Sequence, residues 1–126
     1  MVKKYHKPYI VAHIAELLDL SPTDTVFEVG AESGYQAAVM SHLANSVITV
    51  ESIASLVNAA QNRFIYMEIN NIFVFEGNGG VGVQEQNLYY AILMSAGGSA
   101  PQISCLLILQ LNFGGRIVAL IGSSSN

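Results

Sequence analysis

Charged residues are scarce in this sequence of 126 residues. They make up 11% of the chain and hydrophobic residues 52%, whereas an average soluble domain carries about 25% charged residues. This composition predicts one domain whose sheet is buried on both faces, or a surface that meets another molecule. Only five cations are present, and three of them (Lys3, Lys4 and Lys7) fall within the first seven residues. No basic face is left to follow a phosphate backbone, which argues against a nucleic-acid partner.

Cysteine is nearly absent as well. Cys105 is the only one, so the sequence predicts neither an internal disulfide nor a thiolate metal site. Its apolar neighbours favour an inert buried thiol. The three histidines, His6, His13 and His42, do not have the spacing of metal ligands, and we predict no metal.

The sequence also shows no pattern typical of a signal peptide and no long unbroken apolar run. Its first residues are polar and basic without an apolar segment, which argues against a signal peptide and predicts a cytoplasmic protein. No charged residue occurs between Glu85 and Arg116, but Gly97, Gly98 and Pro101 interrupt that span. A membrane helix needs about 20 apolar residues in one run. A buried strand followed by a buried helix fits better, and we expect no membrane partner.

What the sequence does contain is an alternation of helix-like and strand-like segments. Helices are predicted at Pro8–Leu20, Tyr35–Ala44, Ile53–Ile69 and Pro101–Leu111, strands at Thr25–Val29, Val47–Val50, Ile72–Phe75, Tyr89–Met94 and Gly115–Ile121, and loops at Glu76–Gly82 and Ser95–Ala100. Strands that alternate with helices predict an α/β fold with a parallel sheet and right-handed crossovers.

A glycine turn follows the first of these strands. The strand breaks at Gly30, the chain passes through small residues, and a helix begins at Tyr35. This order aims unpaired helix N–H groups at the carboxyl end of the strand. Glycine at positions 30 and 34 permits positive φ and the close approach of a ligand. A tight turn without a ligand is the alternative interpretation.

An acidic residue ends the second strand. Glu51 follows Gly30 by 21 residues, and at about this distance an acidic residue accepts hydrogen bonds from a ribose. The turn is not the dinucleotide fingerprint, because Glu32 interrupts it and the third glycine is not spaced for it. The pattern predicts a nucleoside-type site in a Rossmann-like half. The alternative is that Glu51 caps the helix that follows.

Six segments resemble protein-L-isoaspartate O-methyltransferases in order and approximate spacing: Pro8–Ala12, Glu28–Gly30, Ser33–Val39, Val50–Ile53, Gly77–Gly79 and Gly114–Val118. The resemblance implies a single Rossmann-like methyltransferase domain over residues 1–126. Its mostly parallel sheet would have strand order 3-2-1-4-5, with helices on both faces. The resemblance also implies S-adenosylmethionine as the cofactor and, in protein repair, a protein or peptide substrate bearing isoaspartate.

The same resemblance implies roles for individual residues. Gly30 and Gly34 would let the backbone approach the methionine part of the cofactor, Glu51 would accept from the ribose hydroxyls, and Asn78 would face the adenine. The implied cofactor-binding residues are Glu28, Gly30, Ala31, Gly34, Tyr35, Gln36, Glu51, Ser52, Asn78 and Gly79. No catalytic side chain is predicted, because a carboxylate with a pKa near ~4 is already ionised at neutral pH and needs no general base.

The chain also departs from the family pattern. Glu32 replaces a glycine and would place a charge near the cofactor's carboxylate, and Asn78 replaces an acid while keeping an acceptor oxygen. Tyr90 replaces an acid, and His6 falls on the family's active-site serine. The family's substrate-covering N-terminal segment and its strands after the fifth have no counterpart here. A non-catalytic binding module and a small-molecule methyltransferase core are therefore alternatives, and an uncovered fifth strand favours self-association.

Overall fold

The computed structural model describes residues 8–30, 34–77, 89–96 and 111–121. These residues form α1 (Pro8–Leu18), β1 (Thr25–Val29), α2 (Tyr35–Leu43), β2 (Ser46–Glu51), α3 (Ala54–Tyr66), β3 (Ile72–Glu76), β4 (Tyr89–Ala96) and β5 (Leu111–Ile121). The helix predicted over residues 101–111 lies outside the described residues, except for its last residue. No described helix is long and apolar enough to cross a membrane.

The five strands form one sheet in which every neighbouring pair is parallel. Their order is β3-β2-β1-β4-β5, which confirms the predicted α/β fold with a parallel sheet and its strand order. β1 lies at the centre, where Val29 pairs with Val50 of β2 and with Met94 of β4. The reversal of strand order on either side of β1 creates the crevice in which open α/β sheets bind ligands.

The three described helices share one core with a single face of the sheet. α3 shows how the sequence produces this: Val57, Ala60 and Phe64 are buried at helical spacing, while most of the helix is exposed. Each large side chain buried here contributes about 1.5–3 kcal/mol to folding. The buried members of this core are Ile14, Leu18, Val26, Ala37, Met40, Ala44, Val47, Ala60, Phe64, Ala91 and Leu93.

A second apolar cluster lies on the opposite face of the sheet. Its buried members are Phe27, Ile48, Val50, Tyr89, Ile92 and Met94. The rings of Phe27 and Tyr89 stack with their centroids 5.1 Å apart. A sheet with apolar side chains on both faces accounts for the low charge of the sequence.

The predicted start of the fifth strand was wrong. Leu111 was predicted to end a helix, but it is the first residue of β5 and pairs with Tyr89. The next pair on this ladder joins Ala91 to Arg116, so β5 contains extra residues in an irregular segment. Gly114 lies in that segment with φ 82°. The residues between the predicted helix and the predicted strand belong to this irregular segment.

The predicted end of the fourth strand was also wrong. Ser95 and Ala96 were assigned to a loop, but they continue β4 and pair with Leu120 and Ile121. The longer β5 supplies partners for both residues, and a strand extends as far as its neighbour can pair with it.

Candidate functional site

The carboxyl ends of β1, β2 and β3 meet at one edge of the sheet. The N–H of Gly30 donates to the carbonyl of Val50 at 2.8 Å, and the N–H of Gly77 donates to the carbonyl of Glu51 at 3.0 Å. These bonds continue the pairing one residue past β1 and β3, and they hold Gly30, Glu51 and Gly77 along one line. Such an edge is where parallel sheets place their ligands.

The two glycines of the predicted turn both have left-handed backbone. Gly30 has φ 94° and Gly34 has φ 82°. Gly34 is also crowded, because a Cβ built there would lie 3.0 Å from Cζ of Phe64 and 3.4 Å from Nη1 of Arg63. Backbone conformation and packing against α3 both require glycine at position 34, whether or not a ligand binds beside it.

The first turn of α2 presents main-chain donors. Gly34 is the N-cap and provides no side-chain hydrogen bond, and the N–H of Ala38 donates to the carbonyl of Gly34 at 2.9 Å. The N–H groups of Gln36 and Ala37 come before that bond in the helix, so the helical ladder gives them no i−4 partner. Together with the helix dipole they favour an anionic group at this position.

Glu51 is half-buried at the end of β2. Its Oε2 accepts hydrogen bonds from the N–H of Ser52 at 3.1 Å and from the N–H of Ile53 at 3.2 Å. These contacts hold the carboxylate just before the first residue of α3. This agrees with the alternative interpretation that Glu51 caps that helix. A carboxylate can accept about four hydrogen bonds, so this anchoring is compatible with binding of ribose hydroxyls.

Glu28 lies beneath the edge rather than on it. Its side chain is buried, as is that of Thr49, its neighbour across the ladder. Both belong to the face of the sheet that carries the helices, since Val26 and Val47, two residues earlier in each strand, pack in that core. Thr49 was not predicted as a site residue, although its hydroxyl stands out within the apolar run Val47–Val50.

The remaining predicted residues divide into two groups. Tyr35 and Ser52 are exposed and Gln36 is buried. Ala31, Asn78 and Gly79 lie outside the described residues, as does Glu32. Gly77 was missed as a site residue, although its place before Asn78 could have indicated it. Across the described parts of the chain, no three potential metal ligands of the His, Cys, Asp or Glu type lie together.

Comparison with known proteins decides the family. The sequence model of the protein-L-isoaspartate(D-aspartate) O-methyltransferase family matches residues 3–126. The chain belongs to this family. It is 44% identical over 118 residues to protein-L-isoaspartate O-methyltransferase 1 of Geotalea uraniireducens (strain Rf4), a match that covers 94% of the chain and 53% of that protein. It is likewise 44% identical over 119 residues to protein-L-isoaspartate O-methyltransferase 2 of Pelobacter propionicus, covering 94% of the chain and 52% of the relative.

A solved structure supports the same family through its fold. The chain superposes on a protein-L-isoaspartate O-methyltransferase with a TM-score of 0.83 and 27% identity, over 91% of this chain and 37% of the other. The resemblance drawn from the sequence motifs is therefore confirmed. The chain spans about half the length of the curated isoaspartate methyltransferases that it matches.

Proposed function

We propose that the chain binds S-adenosylmethionine at the carboxyl edge of β1–β3. We further propose that it methylates the carboxylate of isoaspartyl residues in damaged proteins or peptides. The observation that carries the proposal is the family match over residues 3–126, combined with the alignment of Gly30, Glu51 and Gly77 along one sheet edge. The binding step and the methyl transfer are separate claims, because the chain spans about half of its relatives.

The described residues fit this cofactor. Left-handed glycine at position 30 lets a ligand approach the end of β1. The first N–H groups of α2, including that of Gln36, suit the cofactor's carboxylate. Glu51 is held by two main-chain donors in an orientation that would serve the ribose hydroxyls. Ala31, Asn78 and Gly79 join this set by resemblance alone.

The proposed methyl transfer requires little chemical participation from the side chains of the protein. When bound, S-adenosylmethionine supplies an electrophilic methyl group to an oxygen of the substrate carboxylate. That carboxylate is ionised at neutral pH without help from a base, so the protein has to orient the reactants and exclude water. This explains why a catalytic side chain need not lie among the residues at the edge.

Substrate and location remain proposals as well. We propose a protein or peptide partner bearing isoaspartate, as in the names of the relatives. A cytoplasmic location, and the lack of nucleic-acid and membrane partners, stay predictions from composition. The half-length match favours one competing possibility, which is a cofactor-binding module without transferase activity.

Calorimetry and a transferase assay test the two claims in turn. We expect the purified chain to bind S-adenosylhomocysteine and S-adenosylmethionine in a one-to-one ratio, and to methylate an isoaspartyl peptide but not its aspartyl counterpart. Binding without methylation would support the module and reject the transferase. Failure to bind either compound would reject both claims.

Glu51 offers a sharper test of the binding site. We expect Glu51→Ala to weaken S-adenosylhomocysteine binding by roughly 10- to 150-fold, because hydrogen bonds to a charged group contribute about 1.5–3 kcal/mol. Glu76→Ala is the matched control, since Glu76 is the register partner of Glu51 on β3 and ends that strand. Equal affinities of the two variants in calorimetry would show that Glu51 is only a cap.

A further inference from the structure

Gln36 places an amide side chain beside the apolar core. It is the second residue of α2 and only 6% exposed, and its helix neighbours Ala37 and Met40 pack in the main core. Its Nε2–H donates to the main-chain carbonyl of Val11 in α1 at 3.4 Å. Its Oε1 is buried and has no hydrogen-bond partner among the described residues. The amide therefore joins two helices while half of its bonding capacity is unmet.

Stability alone does not favour this arrangement. A buried acceptor without a donor costs about 1–3 kcal/mol. The bond from Nε2 is long, and an α-helix already pairs a carbonyl such as that of Val11 with the N–H four residues later. Methionine would fill a similar volume without burying an unpaired oxygen. A residue type that is unfavourable for packing is expected at positions where the residue serves a function.

The position of Gln36 indicates what that function is. Gly34, two residues earlier, is the left-handed N-cap of α2, and the first turn of α2 is where the proposed function places the cofactor's carboxylate. Val11 is 2% exposed and lies in the first half of α1. Apolar contacts between the two helices are non-directional, whereas the amide hydrogen bond fixes their relative position. A shift of the first turn of α2 is thus passed to α1 through Gln36.

We propose that Gln36 is a positioning residue that couples binding of the cofactor at the first turn of α2 to the ordering of α1. This inference rests on the proposed function and adds a second consequence of binding. When the cofactor contacts the first turn of α2, that turn becomes fixed in position. The side-chain amide of Gln36 then holds α1 in one position. α1 opens less often in the occupied protein than in the free protein.

Hydrogen exchange of the α1 amides tests this coupling. The variants are Gln36→Met and, as a matched control, Gln61→Met, because exposed Gln61 in α3 makes the same kind of bond, from Nε2 to the carbonyl of Val74 at 3.3 Å. We expect S-adenosylhomocysteine to slow exchange in α1 at least about fivefold in the parent and in Gln61→Met, in the range typical of coupled sites. In Gln36→Met, at a ligand concentration that saturates each variant in calorimetry, exchange in α1 slows less than about twofold. Urea unfolding should show Gln36→Met at least as stable as the parent.

The outcomes separate this inference from the proposed function. Slowing of α1 that persists in Gln36→Met overturns the coupling, and so does a loss of stability in that variant, since Gln36 would then be a structural residue. Binding of S-adenosylhomocysteine to the parent with no slowing in α1 also overturns the coupling, but it leaves the proposed function standing. Absence of binding to the parent overturns the proposed function and the coupling together.

Discussion

At the scale of single residues, two glycines share a backbone conformation but differ in their surroundings. Gly34 and Gly114 both have φ 82°, and a Cβ would touch Phe64 at 3.0 Å in the first case and nothing within 4 Å in the second. The ring of Phe64 is buried in the core and has little room to move. The pair therefore separates the cost of a left-handed backbone from the cost of crowding.

We expect Gly114→Ala to lower the free energy of unfolding by about 1–2 kcal/mol, the cost of left-handed backbone for an L-residue. Gly34→Ala should lower the free energy of unfolding by that amount and by about 1–3 kcal/mol more, because the added methyl group overpacks the core. Urea denaturation of the two variants measures the difference. Equal losses would mean that Phe64 yields without cost and that Gly34 is needed for its backbone alone.

Tyr89 gives a prediction about pH. Burial raises the pKa of Tyr89 from 10.0 to about 12, so the unfolded chain releases this proton at a lower pH than the folded chain does. The contribution of Tyr89 to the free energy of unfolding is therefore fully present below pH 10, and it is lost as the pH rises from 10 to 12. We expect urea unfolding to show a smaller alkaline loss in Tyr89→Phe than in the parent. Tyr90→Phe, which changes the exposed neighbouring ring, should keep the alkaline loss of the parent, and identical curves for all three proteins would contradict the assignment.

At the scale of elements, one side chain ties the end of α2 to the start of β3. Nδ2 of Asn71 donates to the carbonyl of Ser41 at 2.8 Å and to the carbonyl of Asn45 at 3.2 Å. The main-chain carbonyl of Asn71 accepts from the N–H of Val47 at 2.9 Å. Asn71 thus satisfies carbonyls at the C-terminal end of α2 while it enters the sheet.

We expect Asn71→Ala to lower the free energy of unfolding by about 1–3 kcal/mol, because it removes a partly buried hydrogen bond to the carbonyl of Ser41 and an exposed one to the carbonyl of Asn45. Asn70→Ala is the control at an exposed neighbouring position and should change stability by less than about 0.5 kcal/mol. Thermal unfolding of both variants makes the comparison. A loss of similar size in Asn70→Ala would assign the effect to the turn rather than to the Asn71 amide.

Some elements could be predicted from sequence because their signals are local. The strand-like alternation over Thr25–Val29 and the glycine after it predicted the bounds of β1, and the apolar stripe with Ile14 and Leu18 predicted α1. The start of β5 could not be predicted, because its first residues pair across a bulge and their context resembles a turn. The strand order came from the family resemblance, since pairing between distant strands leaves little trace in one sequence.

The candidate site was predictable to a similar extent. Gly30 and Glu51 could be placed at the sheet edge because each follows a recognisable strand. The burial of Gln36 against α1 could not be predicted, because it depends on how two helices pack against each other. The same limit applies to the crowding of Gly34, which Phe64 causes from 30 residues away in sequence.

At the scale of the whole molecule, the described sheet has β3 and β5 as its outer strands. β3 carries Phe73 at 49% exposure and Phe75 at 40%, and outer strands with apolar side chains pair readily with other chains. We expect self-association that grows with concentration, measured by light scattering. Phe73→Lys should reduce it if β3 is the pairing edge and leave it unchanged if β5 is. A monomer at every concentration would contradict the prediction.

The central position of β1 also bears on the order in which the chain folds. Val26 finds its β2 partner Val47 at a separation of 21 residues, but its β4 partner Ala91 at a separation of 65. Closing the longer loop costs more chain entropy, and distant contacts form late. We therefore expect β1, β2 and β3 to assemble first and to expose one side of β1 until β4 arrives. For a nascent chain, that interval is when the central strand of the sheet is open to the wrong partner.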